Sequence, residues 1–206
     1  MNYNKILTQT ARIMSAVFHP LLIPTIGFVL LFNSGFYFSI LPWSVVKFIL
    51  LTVFLSTCVL PAISILILSL NPRFDIRMEK NTDRIMPLIL SSAFYYVGYM
   101  ILQKLPVYPI YKFFLIASIL VQITLLFVTI RWKISAHAAA IGGLLGGFLM
   151  LSFRLQENPV WILSSLFLAA GIVGTARLIL GKHTVSQVSA GFLLGFTIMV
   201  MTFSYI

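Results

Sequence analysis

The feature that most constrains this chain is its series of long apolar runs, at residues 18–40, 44–70, 87–103, 109–130, 136–153, 158–176 and 185–206. A helix crosses the hydrocarbon of a bilayer with about 20 largely apolar residues, and a chain in lipid must satisfy its own backbone polar groups. The runs therefore predict an all-α, polytopic membrane bundle of six or seven transmembrane helices. The run at 87–103 is the short one, suited to a re-entrant or interfacial segment. Composition agrees: 60% of residues are hydrophobic and 9% charged, against about 25% charged in soluble domains. A water-soluble enzyme and a disordered chain are both excluded. The single cysteine, Cys58, lies inside an apolar run, which rules out a disulfide framework and any zinc site built on cysteines.

The stretch up to Ser15 mixes Lys5 and Arg12 with Ile6 and Ile13 and reads as an interfacial helix. It lacks the short apolar core and small-residue cleavage site of a removable signal. No linker, low-complexity tract or internal repeat interrupts the rest. The expected organisation is an interfacial segment at 1–17 and a single transmembrane domain at 18–206. Size and the lack of a targeting signal fit a bacterial cytoplasmic (inner) membrane. The net charge of +10 is too scattered for a nucleic-acid surface, and suits membrane loops and an anionic ligand.

Three polar segments break the apolar text: Asn71–Arg84, Arg131–His137 and Arg177–Gln187. If every apolar run crosses, they follow the second, fourth and sixth spans and emerge on one membrane face. Together with the N-terminus they hold ten of the fourteen Lys and Arg, the others being Lys47, Lys104, Lys112 and Arg154. The positive-inside rule would place that face in the cytoplasm, but cations kept to hold a ligand would bias the count, so the side stays open.

In the first segment Asn71-Pro72 resembles a helix start, with Asn as cap and Pro at the first helical position. Continued as a helix, Arg73, Lys80 and Arg84 fall within about 60° of Arg77, and Asp75, Glu79 and Asp83 on the opposite side. Like charges four residues apart repel, and a bound polyanion would offset that repulsion. Arginine's planar fork suits phosphate oxygens. Cations among lipid headgroups are the plainer reading. The acidic face offers a rival, three carboxylates holding magnesium on a diphosphate as in the intramembrane prenyltransferases, although those enzymes use a second acidic motif and Glu157 stands alone.

In the second segment Ser135 and His137 open a helix rich in Ala and Gly, where small residues permit close packing without any ligand. Ser135 can be an ordinary N-cap, but with free backbone N–H groups it also forms an anion site. In the third, Arg177 ends one span, Gly181-Lys182 breaks it, and Thr184-x-x-Gln187 matches a capping box. His183 has no such local explanation. His19, beside Pro20, reads as an interfacial or packing residue. Three histidines with no paired spacing argue against a metal site.

Taken together, the segments resemble the three signature motifs of the type-2 phosphatidic acid phosphatase superfamily, over roughly residues 70–206. The first motif is Lys, six residues, then Arg-Pro; here Arg77 stands for the Lys, Arg84 matches, and the proline is delayed to Pro87. The second, Pro-Ser-Gly-His, is met by Ile134-Ser135-Ala136-His137. The third, Ser-Arg, five residues, His, three residues, Asp, is met by Ala176-Arg177, His183 and Gln187.

This resemblance implies a metal-independent lipid phosphate phosphatase or pyrophosphatase with no cofactor. His183 would be the nucleophile forming a phosphohistidine, and His137 the general acid and base. Arg77, Lys80, Arg84, Ser135 and Arg177 would hold the phosphate, and Gln187 would stand where the family has its imidazole-orienting acid, a role that Asp75, Glu79 or Asp83 could also fill in space. Implied substrates are phosphatidic acid, phosphatidylglycerol phosphate or a polyprenyl diphosphate, and the implied partners are membrane lipids. The alternatives are a non-catalytic lipid-phosphate binder or transporter, and the magnesium-dependent prenyltransferase.

Overall fold

The computed structural model describes residues 3–72, 74, 75, 78 and 80–205. Helix α1 (Tyr3–Val17) is amphipathic and α2 (Ile23–Phe32) is short and apolar. Six longer helices follow: α3 (Trp43–Leu68), α4 (Thr82–Gln103), α5 (Pro109–Arg131), α6 (Ala136–Leu155), α7 (Val160–Ile179) and α8 (Val185–Ser204). Each of the six is long and apolar enough to cross a membrane. The chain is an all-α, polytopic membrane bundle.

Two expectations about the apolar runs need correction. Residues 18–40 do not form one spanning helix. α2 stops at Phe32, where Asn33 turns its amide back onto the Val29 carbonyl (2.7 Å) and Gly35 adopts a φ of 79°. The chain then continues through a short 3₁₀ turn at Tyr37–Ser39. The run still traverses the bundle: the His19 ring lies 5.4 Å from that of His137 at the start of α6, and the Phe38 carbonyl accepts from the Tyr111 hydroxyl (2.5 Å) at the start of α5. The run at 87–103 is not short either, because α4 extends back to Thr82 and takes in Asp83 and Arg84.

The bundle is built around α6, 61% of whose apolar window is buried, against at most 33% in the other five long helices. Its glycines make this possible. A Cβ on Gly142 or Gly146 would run into the backbone of Phe192 or Phe196, and one on Gly195 into the Ala139 carbonyl. Backbone-to-backbone packing of this kind needs small residues, and it holds the starts of α6 and α8 side by side. In α3 a wider π turn at Leu55–Val59 precedes Pro61, whose missing N–H cannot complete a regular ladder. Buried Thr57 in that turn reaches the Leu21 carbonyl (3.5 Å) and steadies the entry to α2.

The three polar segments follow α3, α5 and α7. With residues 18–40 also running end to end, the sequence parity holds, and the segments share one end of the bundle. The expected helix from Asn71 does not form. Phe74, Asp75, Met78, Lys80 and Asn81 are non-helical, and Met78 has a φ of 50°, in the left-handed region that a continuous right-handed helix cannot include. The helix begins only at Thr82. Arg73, Arg77 and Glu79 lie outside the described residues, so the Arg77 assignment receives no placement. The acidic face required by the prenyltransferase reading loses its basis, because Asp75 and Asp83 do not share a helix.

Candidate active site

Main-chain and side-chain hydrogen bonds join the three segments directly. Arg84, in the first turn of α4, donates from Nε to the Met78 carbonyl (3.2 Å) and from Nη1 to the Ile134 carbonyl (3.2 Å). The first bond draws the loop down over α4; the second ties segment one to segment two. Next in the chain, the Ser135 N–H donates to the Gln187 carbonyl (3.1 Å), tying segment two to segment three. Gly191 permits that approach, since a Cβ there would lie 2.5 Å from the Ser135 carbonyl. Within segment three, Gly181 takes a φ of 61° and the Lys182 N–H returns to the Arg177 carbonyl (3.2 Å). A left-handed glycine ending a helix in this way folds His183 back toward Arg177.

Gln187 has two functions. Its side chain accepts the Thr184 N–H at Oε1 (3.1 Å), and the Thr184 hydroxyl accepts the Gln187 N–H (3.4 Å), which completes the capping box. The same Oε1 lies 3.2 Å from His183 Nδ1. A backbone N–H can only donate, so it fixes the amide with its oxygen toward the ring, and Nδ1 must then carry the proton. Nε2 of His183 is left with its lone pair. His183 is buried, and its pKa is depressed to about 4, first by burial and then by Arg177, Arg84 and Lys133, with the Gln187 bond acting the other way. Near neutral pH the ring is uncharged.

The other site residues surround it. Arg177 lies within electrostatic range of Arg84, His137 and His183. Its buried Nε has no hydrogen-bond partner among the described residues, an uncommon condition for a buried donor. Ser135 is fully buried and caps α6 by accepting the Ala138 N–H (3.3 Å), which leaves its own O–H free to donate. The Ala136 and His137 N–H groups, in the first turn of α6, have no partner within the helix, the condition under which a helix N-terminus binds anions. His137 donates from Nε2 to the Ser15 carbonyl (3.1 Å) at the end of α1, which leaves Nδ1 for exchange with a ligand. Lys80 is exposed on the loop before α4, apart from this network.

The structure thus brings together Arg84, Ser135, His137, Arg177, His183 and Gln187. It also adds two contributors that the sequence reading missed, Lys133 and the Ser15 carbonyl. Lys133 acts electrostatically on His183, and its position two residues before Ser135 was the available signal. His19 packs edge-on against the His137 ring, in keeping with its reading as a packing residue. The Ser15 carbonyl is a main-chain group 122 residues from its partner, for which no sequence signal exists. No described carboxylate is among the groups acting on His183.

No curated protein and no solved structure matches the chain. One family does. It supports, at the level of the family, phosphatase-like chemistry on lipid phosphates, and the match takes in the second and third segments but not the first. Residues 126–206 of this integral multi-pass membrane protein match the model of the PAP2 superfamily, the family that its polar segments resemble.

Proposed function

We propose that this protein hydrolyses a lipid phosphate or diphosphate without a metal, through a phosphohistidine on His183. The observation that carries the reading is the His183–Gln187–Thr184 arrangement, which presents an uncharged imidazole with its lone pair on Nε2 beside two arginines.

Nε2 attacks phosphorus as the bond to the lipid oxygen breaks, and His137, which enters the step as an imidazolium charged against the bound phosphate, gives that oxygen the proton on its Nδ1. Water then attacks the phosphohistidine, losing a proton to His137, and inorganic phosphate leaves with Nε2 restored. Arg84, Arg177 and the Ser135 hydroxyl hold the non-bridging oxygens, where charge concentrates during phosphoryl transfer. Fixing the tautomer of a nucleophilic imidazole matters because only the unprotonated nitrogen attacks. In the family an acid has this orienting role, and Gln187 supplies the acceptor without the charge. Phosphatidic acid, phosphatidylglycerol phosphate and polyprenyl diphosphate are the substrates to assay, and a cytoplasmic membrane of bacterial type is the proposed location.

The purified protein should release phosphate from at least one of these lipids in the presence of EDTA. His183→Ala should reduce that rate by about a thousandfold or more, as expected for loss of a nucleophile. Full activity in His183→Ala would refute the assignment.

A further inference from the structure

One interior feature is not used by the phosphate chemistry. A cavity of about 100 Å³ lies among α2, α4, α5 and α6, with Met199 of α8 also in its wall. Its upper end approaches the site on three separate elements: Pro20 follows His19, Leu88 lies one turn beyond Arg84, and Ala136 follows Ser135. Its lining continues along α5 from Leu125 to Phe114, about 16 Å at 1.5 Å per residue.

The wall is chiefly apolar, and two of its polar members, Ser118 and Gln122, are engaged within the protein. The Ser118 hydroxyl donates to the Phe114 carbonyl (2.8 Å). Gln122 accepts from the Ser92 hydroxyl (3.3 Å). Such a wall makes little demand for a polar ligand and penalises a charged one. A narrow apolar cavity one turn below an anion site suits a molecule with a phosphate at one end and hydrocarbon at the other.

We propose that this cavity is a tail subsite, taking a single hydrocarbon chain of the molecule whose phosphate lies between Arg84 and Arg177. The proposal rests on the phosphatase reading for the position of the head group. The substrate then enters the bundle tail first and is not held at the site with its chain in the surrounding lipid. A lining about 16 Å long is roughly half the ~30 Å hydrocarbon thickness of a bilayer, so the distal part of a longer chain remains outside.

The test uses the full chain in phosphatidylcholine nanodiscs and decyl phosphate with a photoreactive diazirine at its chain end. Mass spectrometry should find the label on peptides carrying Ser118, Gln122 and Leu144, and excess dodecyl phosphonate should suppress it. Label confined to outward-facing positions such as Phe127 and Phe153 would overturn the proposal. So would equal labelling of the lining by the matching phosphate-free alcohol. Palmitoyl and geranylgeranyl phosphates, added as competitors, separate acyl from isoprenoid tails, and failure of both to compete would also count against the subsite.

Ser118→Phe, which narrows the lower cavity, should cut labelling and kcat/KM for dodecyl phosphate at least about fivefold while methyl phosphate is hydrolysed as before; the gentler Ala140→Leu is the second variant should the first fail to fold. A wild-type protein that labels its lining but hydrolyses neither phosphate would leave the subsite standing and refute the phosphatase reading instead.

Discussion

The two sides of the site are held in different ways. On one, α6 and α8 begin with side-chain caps, Ser135 and the Thr184–Gln187 box, and glycines lock the helices together along their length. On the other, α4 begins at Thr82, preceded by Asn81 with no side-chain cap, and Arg84 itself fastens the loop by donating to Met78. The imidazole side is held by helix caps and backbone packing that need no ligand. On the arginine side, the residue that would bind phosphate also organises its own loop. Precision is therefore invested where an in-line attack needs it, and less where charge alone suffices.

The strongest challenge to this contrast is Gly195→Ala. Its methyl group would meet the Ala139 carbonyl and the Gly143 backbone, which cannot swing aside as a side chain can. Overpacking typically costs about 1–3 kcal/mol, and here we expect the upper end, with loss of activity and a lowered unfolding temperature in nanodiscs. An unchanged protein would show that the α6–α8 contact does not hold the site.

Next in size is the pair Arg84→Ala and Lys80→Ala. The first should lower kcat/KM by about a hundredfold or more, as for removal of a preorganised donor, and the second by less than about twofold. Equal effects would erase the distinction between the arginine in the network and the lysine outside it.

Gln187→Asp sharpens the imidazole side. An ionised acceptor makes a stronger bond to an imidazole that becomes cationic, and a gain of about tenfold in turnover corresponds to roughly 1.4 kcal/mol. Absence of turnover in both forms would favour the non-catalytic binder.

The smallest effect is read by imidazole NMR. His183 should remain neutral on acidification until about pH 4. Arg177→Gln removes a cation that disfavours the protonated ring, so the titration should move to higher pH. A shift in the opposite direction would place Arg177 away from the ring.

Much of this was legible in the sequence, for identifiable reasons. Apolar run length marked the long spans, and local rules marked the capping box at Thr184 and the cap at Ser135. Parity placed the three segments on one face, and this survived the surprise in residues 18–40, because an interrupted crossing still exchanges ends. The helix expected from Asn71 failed because pattern rules register an amphipathic arrangement of charges but not a backbone reversal at Met78. The double use of Gln187 was half visible: the box was read, but the ring facing the same oxygen depends on the left-handed turn at Gly181. Lys133 was present as a charge in the right segment, whereas its effect on His183 is a matter of three-dimensional distance.

The hydrogen bond from His137 to Ser15 has an unusual genetic consequence. Its acceptor is a peptide oxygen, so no replacement of the residue 15 side chain deletes it; such variants keep the atom while altering its surroundings. Vulnerability lies instead in the phase of α1. A one-residue insertion or deletion between Thr10 and Met14 would rotate the end of that helix by about 100° and carry the oxygen away from the ring, so this arm of the protein should tolerate changes of letter far better than changes of length.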